Sequence, residues 1–74
     1  NVTIPSGVTD IGSGTFAGCS SLTAIYCYPT IPPSAGSSIF ANTNNCPIYV
    51  PSGSVEAYKT ERYWSDYANR IIGI

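Results

Sequence analysis

The sequence predicts a repeat solenoid with a short parallel β-sheet and a helical C-terminal cap, on three observations. Apolar residues return every 23 positions at Val2, Ile25, Ile48 and Ile71, and Ile4, Cys27 and Val50 repeat the interval two residues later. Pro5-Ser6-Gly7 recurs as Pro51-Ser52-Gly53, two periods on. Six of the seven charged residues (Glu56, Lys59, Glu61, Arg62, Asp66 and Arg70) lie between positions 56 and 70, so that residues 1–55 contain only Asp10. Self-similarity at a fixed interval marks a coil in which each unit buries its apolar face against its neighbours. A last unit rich in charge marks the end that faces solvent. One domain is therefore expected over 1–74, with repeat turns over 1–50 and a cap with a terminal strand over 51–74.

The first unit opens with a strand over 2–4, where Val2 and Ile4 alternate with Thr3 at the period of one buried face. Pro5 ends it by removing a ladder donor, and Ser6-Gly7 turns the chain. Val8, Ile11, Phe16 and Leu22 then point inward from successive sides of a coil, with Gly12, Gly14 and Gly18 at its corners. The second unit repeats the strand over 25–27 and then departs from the pattern through Tyr28-Pro29-Thr30-Ile31-Pro32-Pro33. Ile39 or Phe40 takes the place of Phe16, and a polar turn over 41–45 leads to Cys46 and a third strand over 48–50. Pairing Cys46 with Leu22 requires one residue fewer in that turn.

The third unit abandons the coil. Ser54 is placed to cap a helix running through Val55-Glu56-Ala57-Tyr58-Lys59, with Glu56 near its positive end. Val55 and Tyr58 share one face of it. A second short helical turn is predicted near Trp64-Ser65-Asp66-Tyr67, with Trp64 and Tyr67 on one side and both packing in the cap. A fourth strand over 71–73 closes the chain at the repeat phase.

Composition excludes several classes of function. Stacking must supply burial in a chain of 74 residues, because small domains gain little more from apolar burial than they lose in conformational entropy. An apolar content of 43% argues against disorder, and the 9% of charged residues, where about a quarter is ordinary, implies that much of the surface meets something. With three basic residues and a net charge of −1 there is no cationic stripe for nucleic acid or an anionic membrane, and no apolar run is long enough to span a bilayer. The absence of histidine removes the commonest general base and most zinc sites. Cys19, Cys27 and Cys46 form no CxxC pair and read as small buried hydrophobes, with one disulfide through Cys46 as the alternative. Gly12-Ser13-Gly14 lacks the strand and helix of a phosphate loop. Pro29-Thr30-Ile31-Pro32 fits PxxP but reads as a stiff corner, and Asn1-Val2-Thr3 is a chance glycosylation triplet. No cofactor and no catalysis are expected.

Residues 2–25 run Val-Thr-Ile-Pro-Ser-Gly-Val-Thr-Asp-Ile-Gly-Ser-Gly-Thr-Phe-Ala-Gly-Cys-Ser-Ser-Leu-Thr-Ala-Ile, and this unit resembles the BspA-type leucine-rich repeat. Ile4-Pro5, Ile11-Gly12, Phe16, Cys19-Ser20-Ser21-Leu22 and Ile25 carry the resemblance in order. Residues 46–74 resemble the closing segment of such domains, whereas 28–45 depart from the ordinary repeat. The resemblance implies a right-handed leucine-rich-repeat-like coil on a bacterial protein that is secreted or held at the cell surface. It also implies an adhesion-type role without catalysis.

Thr3, Tyr26 and Tyr49 occupy the outward position of successive strands, with Ile72 continuing the row. Parallel strands lie about 4.8 Å apart, so these side chains form one ladder on the sheet face. It is the candidate ligand-binding surface, for a protein or glycan on a host or neighbouring cell. The alternative is a structural cap or spacer with no ligand of its own. The chain opens at Asn1 inside a repeat strand and reads as the C-terminal piece of a longer coil, so the free edge of strand 2–4 is expected to attract another chain.

Overall fold

The computed structural model of the chain describes residues 2–43 and 45–74. Asn1, the acceptor of the formal glycosylation triplet, and Asn44, inside the polar turn, lie outside the described residues. Among the described residues six short strands occur in the order β1 (Val2–Ile4), β2 (Asp10–Ile11), β3 (Ile25–Cys27), β4 (Ser34–Ala35), β5 (Ile48–Val50) and β6 (Ile71–Gly73). A 3₁₀ turn (Ser52–Ser54), the helix α1 (Val55–Thr60) and a second 3₁₀ segment (Trp64–Arg70) separate β5 from β6.

β1, β3, β5 and β6 form one parallel sheet in chain order. Val2 faces Ile25, Ile25 faces Ile48 and Ile48 faces Ile71, so the 23-residue period is the register of the sheet. The period-2 alternation sets the buried face: Ile25, Cys27, Ile48 and Val50 are all 0% exposed. In this sheet β1 and β5 end directly before Pro5 and Pro51, and β3 ends one residue short of Pro29, prolines whose missing N–H cannot continue the ladder.

A second parallel ladder, absent from the sequence reading, joins β2 to β4 at a spacing of 24, with Ile11 facing Ala35. Backbone bonds extend this contact: Gly14 N donates to Ser37 O at 3.1 Å, Phe16 N to Ile39 O at 3.1 Å and Gly18 N to Ala41 O at 2.8 Å. The added residue enters at the proline corner, where 28–33 replace 5–9, and it is lost again at Pro47, which stands alone where the first unit has Thr23-Ala24. The loss thus falls after Cys46 and not in the polar turn.

The conformations follow the same offset. Gly14 at φ 66° is matched by Ser38 at φ 57°, and Gly18 at φ 79° by Asn42 at φ 58°. Left-handed backbone costs glycine nothing, and asparagine tolerates it better than most residues. The turns approach closest at Gly36, where a Cβ would strike the backbone and hydroxyl of Ser13.

In the core, Phe16, Phe40 and Trp64 form a column. Phe16 and Phe40 stack at 5.7 Å and Phe40 meets Trp64 edge-on at 5.6 Å. Ile39 and Phe40 are both buried, but Phe40 takes the phase of Phe16. Tyr58 meets Trp64 at 4.9 Å and Tyr67 meets Phe40 at 5.4 Å, both edge-on. Burial of an indole of this kind is worth about 3–5 kcal/mol against alanine.

Three side chains of the C-terminal segment hold the proline corner. Tyr58 OH donates to Pro29 O at 2.6 Å, Ser54 Oγ to Thr30 O at 2.7 Å and Trp64 Nε1 to Pro33 O at 2.9 Å. Ser54 therefore does not cap α1 with its side chain, since its hydroxyl serves the corner instead. Glu56 lies in the first helical turn, as expected. Most charges in this segment are exposed, but Arg70 turns inward and is half-buried. All three cysteines are free, with Cys27 and Cys46 buried and Cys19 half-buried, so no disulfide forms through Cys46.

Cys27 Sγ donates to Tyr58 OH at 3.2 Å inside the core. Burial pushes the Cys27 thiol up to about 11, the Tyr58 hydrogen bond offsetting part of the rise. Burial raises the Tyr58 phenol well above its ordinary value too, and the hydrogen bond and charge of Cys27 add to the effect. An unfolded thiol ionises near about 8.5 and an unfolded phenol near about 10. In the window from about 9 to 11 the unfolded chain has shed protons that the folded chain keeps, so stability falls as pH rises. The urea midpoint is expected to drop between pH 8 and pH 10.5, with a shallower drop in Cys27→Ala. Gly36→Ala is expected to cost about 1–3 kcal/mol by overpacking, read as a lower urea midpoint. Gly7→Ala, with nothing within 4 Å of the added carbon, serves as the neutral control.

Candidate interaction surface

The sheet places the four predicted surface residues in one row. Thr3 faces Tyr26, Tyr26 faces Tyr49 and Tyr49 faces Ile72. Each sits at the middle of its strand: Tyr26 and Tyr49 lie between two buried neighbours, Thr3 beside buried Ile4 and Ile72 beside buried Ile71, so the alternation that buries the core turns all four outward. Thr3 is exposed, Tyr26 and Tyr49 are half-buried, and Ile72 is 45% exposed. The tyrosine rings lie 5.2 Å apart and 20° from parallel, each covering one face of the other. Stacked cross-strand rings stabilise a sheet by about 0.2–1 kcal/mol per pair. Two tyrosines stiffened in this way also present large contact area at small entropic cost.

Other apolar side chains stand outside the row. Ile31, at the tip of the proline corner, is 80% exposed, and Tyr28 is 45% exposed. The sequence reads this stretch only as a stiff corner, because residues beside prolines carry no period that marks them as inward or outward. An apolar hollow of about 220 Å³ opens beside β1, lined by Ile4, Val8, Ile11 and Phe16 among others. β1 lies at the edge of the sheet, bonded to β3.

Among the described residues no group of three or more Cys, Asp or Glu side chains is arranged to hold a metal ion. No described helix is long and apolar enough to cross a membrane.

A family model described as a BspA-type leucine-rich repeat region of six copies matches residues 1–70. The chain belongs to this family, and its fold is a repeat fold. Repeats of this type are generally non-enzymatic and typical of surface or secreted bacterial proteins. No curated protein matches the chain at a significant level.

Proposed function

We propose that this chain is a non-catalytic extracellular interaction module, part of a bacterial surface solenoid, whose row Thr3, Tyr26, Tyr49 and Ile72 contacts a partner protein. Residues 1–50 act as its repeat turns, and residues 51–74 act as its helical cap and terminal strand. The observation that carries the reading is the stacked Tyr26–Tyr49 pair on the outer sheet face. A glycan that stacks on aromatic rings needs open ring faces, and here one face of each ring is taken by the other. Edges, hydroxyls and the flanking Thr3 and Ile72 suit the mixed polar and apolar surface of a protein, where tyrosine is a frequent anchor. The second reading, a structural cap or spacer, is favoured by the three bonds from Tyr58, Ser54 and Trp64 to the proline corner. It predicts stability without a ligand.

The two readings separate in a plate assay of the chain against immobilised extracellular matrix proteins. The proposal expects saturable binding to at least one of them, reduced ten-fold or more in the Tyr26→Ala/Tyr49→Ala variant, with the circular dichroism of the fold retained. Binding to none, or equal binding by the variant, supports the structural reading. The unpaired side of β1 is further assigned to association with a second chain. Sedimentation should show a mean mass rising with concentration, and a constant monomer mass at high concentration would contradict that assignment.

A further inference from the structure

A cleft of about 740 Å³ lies between the second turn and the C-terminal segment, away from the tyrosine row, and a volume of this order suits a small-molecule ligand. Asn42 and Asn45 line it from the turn before β5, and Asp66, Tyr67, Asn69 and Arg70 line it from the second 3₁₀ segment. Arg70 is half-buried, and its fork is fixed before any ligand arrives. Its Nε donates to Cys46 O at 2.8 Å and its Nη2 to Thr43 Oγ1 at 3.0 Å, with Cys46 Sγ at 3.4 Å from Nη2. Its guanidinium also lies 5.6 Å over the Tyr67 ring. These partners are neutral, and among the described residues Arg70 forms no ion pair. A partly desolvated cation without a counter-ion favours an anion, and a guanidinium matches a carboxylate best.

The rest of the lining narrows the ligand. Asn42, Asn45 and Asn69 each offer an amide that both donates and accepts, which matches hydroxyl groups. Asp66 offers only acceptors when ionised and opposes a bare anion by repulsion. It accepts readily from hydroxyls. We propose that this cleft binds the carboxylate of a hexuronic-acid-type sugar, with Arg70 on the carboxylate and Asp66 and the three asparagines on the ring hydroxyls. The site depends on the packing of the Trp64–Arg70 segment and not on Tyr26 or Tyr49, so it stands apart from the protein-binding row.

The test is an NMR titration of the chain with sodium glucuronate, glucose and sodium acetate as separate probes. Glucuronate should give saturable shifts in the Asn42, Asn45 and Asn69 side-chain amides and in the Arg70 Nε–H. Glucose and acetate should each bind at least five-fold more weakly. Asn42→Gly keeps the left-handed backbone while deleting the amide, and should weaken glucuronate about five-fold, the worth of about one neutral hydrogen bond. Arg70→Gln should weaken it ten-fold or more, provided its spectrum remains that of the folded chain. Tyr26→Ala/Tyr49→Ala should leave the affinity unchanged. Absence of saturable shifts with glucuronate, acetate binding as tightly as glucuronate, or full affinity in both Asn42→Gly and Asp66→Ala would overturn the assignment.

Discussion

The structure depends on how the carbonyls of its proline corner find partners. Pro29, Pro32 and Pro33 lack the N–H that a ladder requires, so the main chain cannot pair regularly between Tyr28, whose N–H reaches Ile4 O, and Ser34, whose N–H reaches Thr9 O. Buried carbonyls left without donors cost free energy comparable to lost hydrogen bonds. Tyr58, Ser54 and Trp64 supply those donors from the C-terminal segment. Each of the three acts twice, since Tyr58 and Trp64 also fill the core and Ser54 also precedes α1. The corner and the helical segment therefore specify one another.

This mutual dependence marks where the sequence was legible and where it was not. The four main strands were read residue by residue, because a parallel register is a sequence interval and the interval is fixed at 23. The β2–β4 ladder was hidden by the extra residue at the corner, which shifts Ile11 onto Ala35 and breaks the period. Gly14 and Gly18 announce left-handed backbone, whereas Ser38 and Asn42 hold the same conformation without any comparable signal. Ser54 met every local rule for a side-chain cap, and a tertiary acceptor at Thr30 outcompeted the helix for its hydroxyl. Arg70 belonged by sequence to a solvated charge cluster. The acceptors that draw it inward, Cys46 O and Thr43 Oγ1, lie more than 20 residues away and leave no local trace.

Two columns run through the repeat fold at different intervals. The outer row Thr3, Tyr26, Tyr49 and Ile72 steps by 23, while the inner column Phe16, Phe40 and Trp64 steps by 24. From strand to inner aromatic the chain takes 12 positions from Ile4 to Phe16, 13 from Cys27 to Phe40 and 14 from Val50 to Trp64. The return takes 9 from Phe16 to Ile25, 8 from Phe40 to Ile48 and 7 from Trp64 to Ile71. The outgoing arm lengthens by one residue per turn as the return arm shortens by one.

The ladder bonds of the sheet constrain only the sum of the two arms, whereas the aromatic stack constrains how that sum is divided. An inserted residue is therefore tolerated in one arm when the other gives one up, and a lone insertion would turn every outward side chain of the next strand inward. The glycine corner, the proline corner and the α1 helix are three outgoing arms of rising length that meet this condition. The shortening return arm brings Asn42, Thr43 and Asn45 against the 66–70 segment, and there the polar cleft lies. The tyrosine row is tied to the sum and the cleft to the division. Changes at the corners can thus reshape the cleft while the row stays in register.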